Sequence, residues 1–160
     1  MKFLTLLFYF LSLVGPDLGE IRKNYPLANG DKEVAQKMYD ALSEISEDDK
    51  AILIAYKGGI STIMAKHAKG IKDKKTFFKE GVALLEEAVE KDKNNIEIRC
   101  IRMGVQENSP KFLKYRDAIE TDKQFILDHF SSETSQEIKD FVKGYVQLSE
   151  AFSDAEKQLF

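Results

Sequence analysis

The chain has 160 residues, room for one domain, with 32% charged residues and a formal net charge of −3. Its AVILMFWYC content of 43% excludes wholesale disorder, and the acidic balance argues against nucleic acid as a partner. Cys100 is the only cysteine, so no intramolecular disulfide can form, and on a packed helix it reads as a small buried hydrophobe.

The N-terminus differs from the rest. "MKFLTLLFYFLSLVG" has one Lys followed by an apolar run from Phe3 to Gly15, then "PDLGE". That is the pattern of a secretory signal, and it is shorter than the roughly 20 residues a membrane span needs. The stretch is apolar on nearly every face, whereas a helix docked on a domain keeps a polar one. Residues 1–19 are therefore expected to be a signal peptide. The cleavage point stays open, because neither Gly15 nor Gly19 has a small residue two positions earlier. The expected location is exported, periplasmic or extracellular; the alternative is a membrane anchor retained at residues 3–15.

From residue 20 onward a single all-α domain is expected, because apolar residues recur at helical spacing and no stretch alternates apolar with polar. The first helix spans about Lys32 to Ile45, with Val34, Met38, Ala41, Leu42 and Ile45 on one face. "SEDD" at 46–49 carries a capping pattern for a second helix, about Glu47 to Lys69. In that helix Ala51, Ala55, Gly58, Thr62 and Ala65 form a ridge of small side chains. Its mid-helix glycines each cost about 1 kcal/mol relative to Ala, a cost tolerated where another backbone comes close; a break at Gly58-Gly59 is the alternative. The third helix, about Lys74 to Lys91, buries Phe78, Gly81, Val82, Leu85, Ala88 and Val89, and "KDKK" before it reads as a solvated loop. "KDKNN" is a turn, with Asn94 capping a fourth helix to about Glu107 whose Ile98, Ile101 and Val105 face the core. Ser109 as cap and Pro110 at the first position open a fifth helix to about Phe130, held by Phe112, Tyr115, Ile119, Ile126 and Phe130. "TSQE" at 134–137 caps the sixth, with a stripe of Ile138, Phe141, Val142, Tyr145, Leu148 and Phe152. Six helices on short connections pack as antiparallel neighbours.

"FKEGVALLEEAVEKDKNNIE", residues 78–97, resembles the second helix and exit loop of a tetratricopeptide repeat. Gly81 and Ala88 fall on its small positions, Leu85 on its large apolar one, and Asp92 to Asn95 on its loop, with Lys93 in place of the usual Pro. No strict 34-residue period is visible. "NNIEIRCIRMGVQENSPKFL" also resembles stretches in exported bacterial helical proteins with no assigned activity. These resemblances imply a tetratricopeptide-like α-α superhelix in a bacterial envelope setting.

No motif for catalysis stands out. The residues three before His67 and His129 are Met64 and Ile126, so no di-iron Glu-x-x-His pair exists, and neither His has a neighbour at zinc spacing. No metal and no cofactor are expected. The glycine pair at 58–59 is not a phosphate loop, and no nucleophile elbow surrounds a Ser. Acid pairs are abundant but read as solvated helix faces. One constellation rises above background: Arg99, Arg102 and Gln106 share a face of an otherwise apolar helix. In a tetratricopeptide-like arrangement that face lines a groove, where Arg suits carboxylates, with Tyr115 and Arg116 flanking it. The competing reading is an internal network in which Glu107, Asp117 or Glu120 neutralises these arginines and ties helices together. The expected function is a protein- or peptide-binding module without catalysis, and the alternative is an envelope enzyme or small-ligand protein with an Arg/carboxylate pocket.

Overall fold

A computed structural model describes residues 16–160, and every regular element among them is helical. Most of the expected signal segment therefore lies outside the described residues. In chain order the α-helices are α1 (Leu18–Ala28), α2 (Lys32–Ala41), α3 (Ala51–His67), α4 (Ile71–Lys91), α5 (Ile96–Asn108), α6 (Ile119–His129), α7 (Gln136–Leu148) and α8 (Asp154–Lys157), with 3-10 turns at Lys111–Leu113 and Phe130–Ser132.

Two helices among the described residues were not expected. α8 is a single turn closed by a Ser153–Glu156 capping box. α1 escapes sequence reading because Pro26 lies inside it; Pro26 falls in the last turn, so the turns before it keep their hydrogen bonds. Its start is fixed by Asp17, whose carboxylate accepts from Gly19 N at 2.9 Å. This cap lies on the N-terminal side of the expected boundary at residue 19.

Several helix ends also differ. Ser46 and Asp49 bond to each other in a turn, and α3 starts only after Lys50, which makes no side-chain cap. α4 begins at Ile71, so "KDKK" is helical rather than a loop. Asn95, not Asn94, caps α5, accepting from Ile98 N at 3.1 Å. Ser109 ends α5 instead of starting a helix, and Pro110 leads into the 3-10 turn, so α6 starts nine residues later than Pro110, at Ile119. Ser135 caps α7.

α3 is the central helix. Apolar or small residues surround nearly all of it, so it is buried on every side, packing on α1, α2, α4 and α5. The core around it includes Ile54, Tyr56, Leu85, Ile98, Ile101 and Val105. The opposite face of α5 enters a second cluster, where Ile96, Cys100 and Met103 meet Ile126 of α6, Val142 and Val146 of α7, and Phe152. α5 therefore joins two cores. Cys100 is buried as expected, and its surroundings push the thiol pKa up.

The α3–α4 contact, the most extensive in the fold, is made through glycine. A Cβ at Gly58 would lie 2.8 Å from Gly81 O, and one at Gly81 would lie 2.6 Å from Gly58 O and 2.5 Å from Thr62 Cγ2. The small-residue ridge is thus a track on which two backbones touch, and α3 runs unbroken through Gly58-Gly59. Gly59 similarly admits the ring of Tyr25 from α1.

These contacts separate two effects of the same substitution. Gly→Ala in a helix gains about 1 kcal/mol of propensity, whereas overpacking against backbone costs about 1–3 kcal/mol. Gly81→Ala should lower stability by about 1–2 kcal/mol in urea denaturation. Gly144→Ala on α7, where a Cβ meets nothing within 4 Å, should raise it by up to about 1 kcal/mol. Equal effects at the two sites would contradict the packing described.

Candidate functional site

The five residues singled out by sequence do come together, but mostly inward. Arg102 is 6% exposed and Asp122, on α6, is 0% exposed. Arg102 Nε and Nη2 grip the two Asp122 oxygens at 2.8 and 2.7 Å, and its Nη1 donates to Glu86 Oε2 of α4 at 2.7 Å. Arg99 adds a third donor to Asp122 at 3.0 Å and lays its guanidinium over the Phe125 ring. Tyr115 donates to the other Glu86 oxygen at 2.6 Å, and the Gln106 side-chain oxygen accepts from Ala118 N at 3.1 Å. Arg99, Arg102, Gln106 and Tyr115 therefore clamp α4, α5, the 114–118 segment and α6. The carboxylates are Asp122 and Glu86, not Glu107, Asp117 or Glu120. Burial alone would lower the Arg102 pKa, but the hydrogen bonds and charges of Asp122 and Glu86 hold it above its ordinary value, while burial and then Glu86 push that of Tyr115 up.

Arg116 alone of the five lines a groove of about 2280 Å³ that opens to solvent. It is held there by donating to Glu107 O at 2.7 Å and Ser109 O at 3.2 Å. α5 contributes Ile101, Gly104 and Val105 and packs on both α4 and α7, which supply two sides; α1 and α3 also line the groove, with Arg22, Lys23, Thr62 and Lys66 among their residues. On α4 the lining residues are Ile71, Lys74, Lys75, Phe78 and Lys79, at i, i+3, i+4, i+7 and i+8. On α7 they include Glu137, Asp140, Phe141, Tyr145 and Leu148, again a single helical face.

The rim is unusually apolar. Ile71 is 86% exposed, Leu148 84% and Phe112 80%; with Leu113 they all line this groove. Sequence reading placed Phe112 and Leu148 in the core, Phe112 on a fifth helix and Leu148 on the α7 stripe. Both are corrected by local structure. The 3-10 turn and the left-handed Lys114, at φ 52°, carry Phe112 outward, and α7 ends at Leu148 on the face away from Val142 and Val146. Periodicity finds such residues but cannot tell a core from a docking surface. The lysines of α4 were missed because the charges there read as a solvated loop and a solvated helix face.

Buried polar groups fix the groove's shape. Arg22 of α1 donates to Glu97 of α5 at 2.7 and 2.9 Å and to Glu137 of α7 at 2.8 Å, while Tyr56 of α3 donates to Glu97 at 2.6 Å. Burial and the Glu97 carboxylate push the Tyr56 pKa up. At the other end Glu107 accepts from Tyr145 and Ser149 side chains and from Ala151 N. Burial first, then Cys100 and Glu107, raise the Tyr145 pKa. His67 ends α3 with Nε2 at 3.3 Å from Ala28 O, and His129 stacks on Phe125. Among the described residues no three His, Cys, Asp or Glu side chains are placed to hold a metal, and no helix is long and apolar enough to cross a membrane.

Comparison with protein families, with curated proteins and with solved structures finds no match for this chain.

If the arginine cluster is structural, removing Arg102 strands a buried charge. Arg102→Ala should destabilise by about 3–5 kcal/mol, and Arg102→Met with Asp122→Leu should recover much of that loss. Thermal melts check it; an Arg102→Ala protein of unchanged stability would contradict the clamp.

Proposed function

We propose that the protein is an exported, non-catalytic module that binds a segment of another protein in the groove between α4, α5 and α7. The observation that carries this reading is the gathering of Ile71, Phe112, Leu113 and Leu148, all exposed, around one concavity. Contiguous exposed apolar surface in a water-soluble protein favours burial by a partner. The groove's volume of about 2280 Å³ is more than twice the upper end of the roughly 300–1,000 Å³ of small-molecule pockets, which favours a polypeptide over a metabolite. Two of the carboxylates that line it are engaged, Glu107 by Tyr145, Ser149 and Ala151, and Glu137 by Arg22. That arrangement supports binding rather than acid/base chemistry.

A tetratricopeptide-like pairing of α4 with α5 across Asp92–Asn95 belongs to the same proposal. It is supported by the tight turn there and by the small residues Gly81 and Ala88 buried on α4. The binding site, however, moves from the expected Arg99, Arg102 and Gln106 to the apolar rim, with Arg116 retained.

Export is supported by the apolar N-terminal run, and cleavage after Gly15 would leave the Asp17 cap of α1 intact. Intact mass of the exported protein should show loss of residues 1–15. A full-length mass would oppose cleavage. Phe112→Ser with Leu148→Ser should shift stability by no more than about 0.5 kcal/mol, since both side chains are exposed. The same double variant should lose the partner that wild-type protein retains in crosslinking pull-downs from native envelope. Equal capture by variant and wild type would sink the groove reading.

A further inference from the structure

We infer that the groove's occupant is an amphipathic α-helix of a partner protein, its apolar stripe flanked by acidic side chains toward α4 and basic side chains toward α7. This rests on the groove reading above and adds the chemistry of the partner. The α4 face toward the groove interleaves Ile71 and Phe78 with Lys74, Lys75 and Lys79. All three lysines are exposed, and none has a carboxylate within ion-pair distance among the described residues. Lys75 and Lys79 are also an i, i+4 like-charge pair, which disfavours the isolated helix. Across the floor α7 and its exit bring Glu137, Asp140 and Glu150; Glu137 is already paired with Arg22 of α1, which leaves Asp140 and Glu150 as the acids of that side. Among the described residues Glu150 has no ion-pair partner, and Asp140 is met by the neutral Gln136 amide at 2.8 Å.

An apolar floor between one basic and one acidic side matches a helix read at i, i+3, i+4 and i+7, about 10 Å across. Gly104 and Gly144 deepen the trough, since a Cβ at Gly144 would meet nothing within 4 Å. Opposite charges on the two flanks also fix the direction in which a bound helix lies. The chain's own apolar N-terminus does not fit this description. Residues 1–15 contain one charged side chain, Lys2, and no acid. An anionic bilayer fits poorly too, because five of the twelve charged lining residues are acidic and the surface is concave.

Three fluorescein-labelled peptides of about 18 residues, some 27 Å of helix, would share one Leu/Phe stripe. One carries Glu on one flank and Lys on the other, the second Lys on both, the third Ser on both. Fluorescence anisotropy with the full exported chain at low salt should show the two-sign peptide binding about tenfold more tightly than the Lys-only peptide, the sum expected of three exposed ion pairs. Lys74→Glu, Lys75→Glu and Lys79→Glu together should erase that preference and strengthen binding of the Lys-only peptide, with helix content by circular dichroism unchanged. Equal binding of all three peptides would overturn the charge assignment and leave the groove reading standing. Failure of all three to bind would overturn both. Binding of phosphatidylglycerol vesicles in place of peptide, or a dimer that excludes peptide, would overturn the helical-partner assignment.

Discussion

The fold depends on one close approach, the backbone contact of α3 with α4 at Gly58 and Gly81. Each glycine places its carbonyl where the other's Cβ would be. Helices normally keep 8–10 Å between axes because side chains intervene, and here the side chains are absent. The gain is dispersion over two long helices, 17 and 21 residues, offset by the propensity cost of glycine in each. With α4 seated this tightly, its N-terminal turns present Ile71, Phe78 and three lysines as one side of the groove.

The second constraint is charge buried in α5. A helix that feeds two cores has little surface left for polar residues, yet it carries Glu97, Arg102 and Gln106, all buried. Each is satisfied by a different element: Glu97 by Arg22 and Tyr56, Arg102 by Asp122 and Glu86, Gln106 by the Ala118 amide. Buried pairs of this kind add little net stability over apolar side chains, but they penalise any other arrangement of the helices they join. Here they set where α1, α4 and α6 sit around α5, and so the width of the groove. On the binding function proposed above, Arg99 and Arg102 shape the site rather than touch its occupant.

Helix class was legible because periodicity survives without tertiary information. The cores of α3, α4 and α5 follow from Gly58, Leu85, Ile101 and their neighbours at helical spacing. Helix ends were less legible. Ser46, Asn94 and Ser109 are all competent caps, and which capping residue acts depends on where packing stops the helix. The site was least legible, for a physical reason. Phe112 and Leu148 have the composition of core residues, and only the turn at Lys111–Leu113 and the end of α7 expose them. Conversely, Arg99 and Arg102 look like ligand-binding residues because their partner Asp122 is 20 or more residues away in sequence.

The claim that ligand meets the apolar groove and not the arginine clamp is tested most directly by hydrogen exchange with and without the two-sign peptide. Slowed exchange is expected in the N-terminal half of α4, the 110–116 segment and the C-terminal half of α7, with α2 unchanged. Protection centred on Arg99, Arg102 and the start of α6, with none at the rim, would contradict it.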